Sequence, residues 1–247
     1  MIPKTKISDV GYMFVIKLAD VVITEIAVPS LEDPIKLKHA KMRLPIALRY
    51  IDTEKFKVNK PIEEREYDIG FIGRFEPEKG LYEFIAAILM LRTKGYNPRV
   101  LMAGGGSLFS LAKKYESKLN ATILSYVPHN RMPELYNNIK ILVLPSKKEG
   151  VPTVLLEALA CGIIPVVSRV GGMPWVIQRA KVSTVLESVS PESISKALER
   201  LLNLPHKILN EMSWNGRKFV ENYLTLDKAI VRYNILKKLL TSLARQK

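Results

Sequence analysis

Two carboxylates in one run raise the first chemical question. The run SKKEGVPTVLLEALACGIIPVVS, residues 146–168, holds Glu149 and, eight positions on, Glu157. Residues 150–153 place backbone N–H groups at a helix start, Pro152 excepted, and such a start favours an anion through its unpaired donors and its dipole. Glu157 falls about one and a half turns inside that helix. Its neighbours Val154, Leu155, Leu156, Ala158, Leu159 and Ala160 make the segment apolar on nearly all sides, so the spacing predicts a buried helix. An ionised carboxylate there is costly unless it is paired or hydrogen-bonded. Its partner is either a protein group, such as an arginine or backbone amides, or a polyol whose sugar or ribose hydroxyls donate to it. A glycoside-hydrolase pair of carboxylates is disfavoured, because both residues sit on one loop–helix unit beside a phosphate cradle.

Cations occur at a second position. In GFIGRFEPEKGLYEF, Gly73 ends an apolar run, and Arg74 and Lys79 lie in the turn before a helix. Arg74 can grip phosphate oxygens bidentately and Lys79 can act as a point charge. The competing reading pairs both cations with Glu76 and Glu78. The spacing is not that of a Walker loop. In MAGGGSLF, glycines 104–106 permit close backbone approach to a ligand, without the dinucleotide fingerprint. In SYVPHNRMPELY, Val127 and Pro128 offer a flat apolar wall and a backbone edge for a base, and His129 reads as an exposed loop histidine. Gly171 and Gly172 in SRVGGMPWVI again allow backbone close to a ligand. No D-x-D triplet of the metal-dependent sugar transferases is present, and no metal site is expected.

These stretches all follow strand-like runs. From Tyr67 the chain alternates buried strands (YDIGFIG, RVLMAG, ATILSYV, ILVLPS, IIPVVS and a sixth candidate, VSTVL) with helical patterns. The helices are read in LYEFIAAILMLRTKG, SLFSLAKKYESKL, RMPELYNNI, PTVLLEALACG and PESISKALERLL. Continuous apolar strands alternating with helices imply an α/β fold, a doubly wound parallel sheet of Rossmann-like type, with ligands beyond the carboxyl ends of the strands. Two further helices follow, HKILNEMSWNGRKFVENY and LDKAIVRYNILKKLLTSLARQK. The second carries an apolar stripe (Ile230, Tyr233, Ile235, Leu236, Leu239, Leu240) and a basic face. The expected division is residues 1–60 as a remnant or linker with one strand, DVVITEIAV, a helix-like stretch before it and a Pro- and Lys-rich passage; residues 61–204 as the ligand-binding domain; and residues 205–247 as C-terminal helices.

Composition narrows the class. The 247 residues are 47% hydrophobic and 25% charged, an ordinary globular balance. The single cysteine, Cys161, rules out an internal disulfide and makes a reducing, cytoplasmic location the default. His39, His129 and His206 show no zinc-type spacing with it. No clean apolar run of membrane-spanning length and no secretory leader is read. The net charge of +14 fits nucleic acid, an anionic membrane surface or phosphate-bearing ligands. Nucleic acid is disfavoured, since no aromatic-interleaved basic motif or helix-turn-helix pattern accompanies the charge.

Four pieces in order, GRFEPEKG, AGGGS, VPHNRMPELY before ILVLPS, and EGVPTVLLEALACGIIPVV, resemble glycosyltransferase family 4, retaining sugar transferases of the two-Rossmann-domain GT-B type. The last piece is similar to the family's Glu-seven-residues-Glu motif. The likeness covers residues 67–177 well, and LPIALRYIDTEKF, with Asp52 and Phe56, resembles the interdomain link. The resemblance implies the C-terminal, donor-binding domain of such an enzyme, with the N-terminal acceptor domain largely missing. It implies a nucleotide-diphosphate sugar as donor, transfer with retention, no cofactor and no metal, and as acceptor an unspecified saccharide, lipid or protein. Arg74 and Lys79 would hold the diphosphate, Glu149 the donor sugar and Glu157 the ribose. Gly73, Gly104, Gly105 and the 150–153 turn (Gly150, Val151, Pro152, Thr153) would line the diphosphate, with Val127 and Met132 near the base. Gly105 stands where the family often has an acidic residue, and Trp175 where glutamate is frequent. A non-catalytic nucleotide-sugar-binding subunit working with a separate acceptor-domain chain, and peripheral contact with the cytoplasmic membrane face, are further expectations.

Overall fold

The computed structural model describes residues 22–23, 43–44, 49–182 and 184–244. Two units divide the chain, Ile51–Thr225 and Met1–Tyr50 with Leu226–Lys247. In the second unit β1 (Val22–Ile23) pairs in parallel with β2 (Arg43–Leu44). The remainder of the expected DVVITEIAV strand, the helix-like stretch before it and most of the Pro- and Lys-rich passage lie outside the described residues.

The Ile51–Thr225 unit is built on five strands: β3 (Tyr67–Ile72), β4 (Val100–Ala103), β5 (Ala121–Leu124), β6 (Ile139–Leu144) and β7 (Ile164–Val167). All pair in parallel in the order β5-β4-β3-β6-β7. The order explains the apolar runs read in the sequence. Ile69, Phe71, Val100, Met102, Ile141, Val143, Ile164 and Val166 enter one core cluster. Their alternates Leu101, Leu142 and Leu144 are also buried, on the opposite face.

Helices cover both faces. They are α1 (Leu81–Thr93), α2 (Phe109–Tyr115), α3 (Met132–Tyr136), α4 (Thr153–Ala160), α5 (Met173–Ala180), α6 (Pro191–Leu202) and α7 (His206–Tyr223). α1 and α6 pack together, and Phe84, Ile88, Ile194 and Leu198 join the core cluster named above. α4 and α5 pack on α7, so the unit continues past Leu204 to Thr225. α6 starts at a built cap: Ser190 Oγ accepts from the Ser193 N–H, and Pro191 occupies the first turn.

Two readings differ from what is seen. The sixth strand expected in VSTVL is a single parallel bridge, Val167 to Val185, because the chain turns from Val182 to Thr184 and only Val185 comes into register; Ser183 lies outside the described residues. The glycine stretch after β7, read as a loop, leads at once into α5, which buries Met173, Val176, Ile177 and Ala180. In the second unit the last helix, α8 (Leu226–Ala244), exposes Ile230, Tyr233 and Ile235 of its expected stripe and buries Leu236; the side chains of Leu239 and Leu240 lie outside the described residues.

Candidate functional site: the carboxyl ends of β3 and β6

The chain runs outward from β3 to β4 and β5, then returns to the other side of β3 as β6. The carboxyl ends of β3 and β6 therefore flank a switch point, where loops diverge and leave a crevice. A cavity of about 200 Å³ lies there, lined by Gly73, Arg74 and Lys79 from the β3 exit, Ser146 and Glu149 from the β6 exit, and Pro152 before α4. A larger groove of about 680 Å³ between α5 and α6 contains none of the residues singled out in the sequence. Arg74, Lys79 and Glu149 converge on the smaller cavity, whereas Glu157, Val127 and Met132 are not part of its lining.

Glycine is required where the loops touch. Gly104, at φ 150°, lies so close to the β3 exit that an added Cβ would stand 1.8 Å from the Gly73 carbonyl oxygen. Gly171, at φ 55°, would bring a Cβ within 2.2 Å of the Glu149 carbonyl oxygen. Phe75 N–H donates to the Gly105 carbonyl (2.8 Å), and Gly172 N–H donates to that of Gly150 (2.9 Å). Ser168 Oγ donates to the Ser146 carbonyl, joining the β7 exit to the β6 exit.

The competing reading, which pairs Arg74 and Lys79 with Glu76 and Glu78, is seen only in part. Arg74 Nη2 meets Glu78 Oε1 at 3.1 Å, with the arginine side chain 68% exposed. Lys79 Nζ instead pairs with Glu149 Oε1 across the cavity, both side chains less than one-fifth exposed. Glu76 hydrogen-bonds to neither cation and accepts instead from the Ser107 N–H at 2.9 Å and from the Ser107 hydroxyl. Those two bonds hold its carboxyl below the usual carboxylate range, and they fasten the glycine turn to the β3 exit. Lys147 N–H donates to the Glu78 carbonyl (2.8 Å), and its ammonium meets Glu83 at 2.7 Å, tying the β6 exit to α1.

Glu157 is 5% exposed within α4 and is satisfied by two side chains, not by an arginine or backbone amides. Tyr136 donates its hydroxyl to Oε2 at 2.9 Å, and His129 Nε2 meets Oε1 at 2.9 Å. Burial, then the neighbouring Glu157 charge, pushes the Tyr136 phenol far up, so it stays a donor. His129, read as an exposed loop histidine, is exposed and still reaches the buried carboxylate. Val127 is half-buried in the same loop, and Met132 is buried at the first position of α3. Val151 is buried behind Gly150, and Thr153 opens α4.

The far end of α4 is held as firmly. Arg65 donates to the Cys161 (2.8 Å) and Ile139 (2.9 Å) carbonyls, and Arg217 donates to the Ala160 carbonyl at 3.0 Å and to that of Phe56. Two guanidinium groups thus satisfy the last carbonyls of the helix and its dipole. Burial lowers Arg65 to about 10. Neither arginine was singled out in the sequence.

Comparison with known proteins agrees with this layout. The family model for glycosyl transferases group 1 matches residues 52–219. The capsular polysaccharide biosynthesis glycosyltransferase CapM of Staphylococcus aureus is 28% identical over 187 residues, 70% of this chain and 48% of its own length. A D-inositol 3-phosphate glycosyltransferase of Rhodococcus erythropolis is 26% identical over 204 residues, covering 74% of this chain and 46% of that protein. The chain spans about half the length of these relatives. Among solved structures, sucrose-phosphate synthase from Thermosynechococcus elongatus superposes with a TM-score of 0.74 at 19% identity, over 98% of this chain and 65% of that one. The C-terminal domain of the group 1 glycosyl transferase LpcC from Francisella tularensis superposes with a TM-score of 0.61 at 23% identity, over 71% of this chain and 99% of that domain. The sheet order and flanking helices are those of a Rossmann-like GT-B C-terminal domain, and the chain belongs to the glycosyl transferases group 1 family.

Proposed function

We propose that the chain binds a nucleotide-diphosphate sugar at the β3–β6 switch point and serves as the donor half of a retaining hexosyltransferase. The observation that carries this is the Lys79–Glu149 pair, a cation and a carboxylate facing each other across a cavity at the start of α4. A diphosphate entering there takes Lys79 and Arg74 as counter-charges, adding the N-terminal end of α4. Lys79 then leaves Glu149, whose carboxylate becomes an acceptor for donor-sugar hydroxyls. Glu157, eight positions on, accepts from the ribose. In the transfer, the bond from the anomeric carbon to the diphosphate oxygen breaks and the acceptor oxygen bonds to that carbon on the same face. The acceptor proton passes to the departing phosphate, whose charge the two cations stabilise. No metal is used in this scheme; the cations take that part.

A second reading, a nucleotide-sugar-binding module that relies on a separate acceptor-binding chain, uses the same Lys79–Glu149 cavity. No described helix is long and apolar enough to cross a membrane. We place the protein in the cytoplasm, with the +14 charge suited to an anionic membrane face.

Calorimetry with UDP and GDP tests the donor site. One of them binds below millimolar concentration, and Arg74→Ala and Lys79→Ala each weaken it by about tenfold, the worth of one charge-assisted phosphate contact. Absence of binding at millimolar nucleotide, or binding unchanged in both variants, removes the reading.

A further inference from the structure

The groove between α5 and α6 has more than three times the volume of the β3–β6 cavity and shares no lining residue with it. About 680 Å³ is the size of a small-molecule site. Its floor is apolar and recessed: Ile177 of α5, Leu186 of the connecting segment and Leu201 of α6 are each 2% exposed. Its rim is cationic. Lys181 follows α5, and Lys196 and Arg200 stand about one turn apart on α6, all three exposed. Like charges at that spacing repel, and among the described residues no carboxylate pairs with any of the three. Glu199, which lies between them in sequence, pairs instead with Lys94 of α1. Glu187 is the one acid of the lining, and it too has no ion-pair partner among the described residues. Three cations against one carboxylate leave a surplus of positive charge above an apolar floor.

We infer that this groove is a second ligand site, built for an amphipathic anion: a small molecule whose apolar chain lies on the floor and whose phosphate or carboxylate head meets Lys181, Lys196 and Arg200. The chain withdraws apolar surface from water, and the head takes charge-assisted hydrogen bonds from the rim. Neither half suffices alone, because a rim contact open to water contributes little by itself. A membrane surface fits this shape less well. None of the large apolar side chains that stand exposed among the described residues lines the groove. Nothing at this place inserts into a bilayer, so the apolar part of the ligand has to enter the groove. The occupant is a single dissolved molecule.

The probe is octyl phosphate, kept below its micellar concentration and titrated calorimetrically into the full chain. It should bind below millimolar concentration, with inorganic phosphate weaker by about tenfold or more for lack of the chain. Octyltrimethylammonium, with the same chain and the opposite charge, should not bind. Lys196→Glu combined with Arg200→Glu, both on exposed positions of α6, should weaken octyl phosphate by about tenfold or more. Ala197→Phe puts a ring into the groove from its half-buried wall and should weaken the probe with the rim intact. Lys79→Ala, in the other cavity, should leave its binding unchanged. Thermal unfolding is read alongside; the charge reversal touches no buried side chain and carries the test if Ala197→Phe proves unstable. No uptake of octyl phosphate at millimolar concentration, or uptake unaffected by the charge reversal, overturns the inference. Binding lost in Lys79→Ala and kept in the other variants assigns the probe to the β3–β6 cavity and overturns it as well. Capture of the chain by phosphatidylglycerol vesicles without uptake of octyl phosphate makes the rim a membrane-facing charge, and the groove is then no ligand site. The two cavities share no residue, so failure of this site leaves the nucleotide reading standing, and the reverse.

Discussion

The two cations of the site have different surroundings, and this separates stability from binding. Arg74 pairs with Glu78 on an open surface, where an ion pair contributes between zero and about 1 kcal/mol. Lys79 and Glu149 are largely withdrawn from water, so removing one strands the other. Arg74→Ala should leave the thermal midpoint unchanged while weakening the nucleotide. Lys79→Ala should weaken the nucleotide and also lower the midpoint by a few degrees, for a loss of about 1 kcal/mol; equal midpoints in the two variants would contradict the burial argument. Cys161 allows a second residue-scale prediction. It is fully buried, and burial pushes its thiol up to about 12 from 9.0. The folded thiol keeps its proton where the unfolded one loses it. Its stabilising contribution is complete below pH ~9 and is lost as pH rises toward ~12, at up to about 1.4 kcal/mol per pH unit. A thiol reagent at pH ~8 should find no reactive group in the native chain and one after denaturation. Cys161→Ala should flatten the alkaline part of the stability curve. The burial of Glu157 was legible from its apolar neighbours; its partners were not. His129 and Tyr136 precede it by 28 and 21 positions, and only the packing of α3 and its loop against α4 brings them together.

At the scale of elements, α4 has one end at the cavity and the other under two arginines. Arg217 reaches the carbonyls of Thr53, Phe56 and Ala160, so one side chain ties the entry segment, α4 and α7 together. Truncating it leaves buried acceptors without donors. Arg217→Ala should destabilise the unit by about 2–4 kcal/mol in denaturant melts, and a loss under about 0.5 kcal/mol would show that water replaces the guanidinium freely. Strand and helix placement was readable because parallel strands buried on both faces give unbroken apolar runs, and because Gly95 and Gly162 mark helix ends. α5 was missed because its glycines and Pro174 read as loop. The signal that finds it is Pro in the first turn followed by Met173, Val176, Ile177 and Ala180 at helical spacing. The sixth strand failed for a different reason. An edge segment has only one neighbour to specify register, and the turn at Val182–Thr184 leaves one residue to pair. The caps of α4 were invisible, since no sequence pattern links Arg65 or Arg217 to carbonyls 96 and 57 positions away.

For the whole molecule, the question is how little of the chain the proposed donor site needs. All its residues fall within Ile51–Thr225, which has its own sheet, a core on both faces and α7 closing over α4 and α5. The family match, residues 52–219, stays inside those limits. A fragment of residues 51–225 should therefore unfold in one cooperative step and bind UDP or GDP within about twofold of the full chain, because no site residue is lost. The same fragment and the full chain should both transfer little sugar to an added acceptor, since the acceptor must be held beside the anomeric carbon for attack and positioning is a large part of the rate. Aggregation of the fragment, or binding weakened more than about tenfold, would show that residues outside 51–225 complete the donor site. Efficient transfer by the full chain with loss in the fragment would assign the acceptor to the residues that the fragment lacks; efficient transfer by both would place acceptor and donor together on the Ile51–Thr225 unit and overturn the division of labour proposed above.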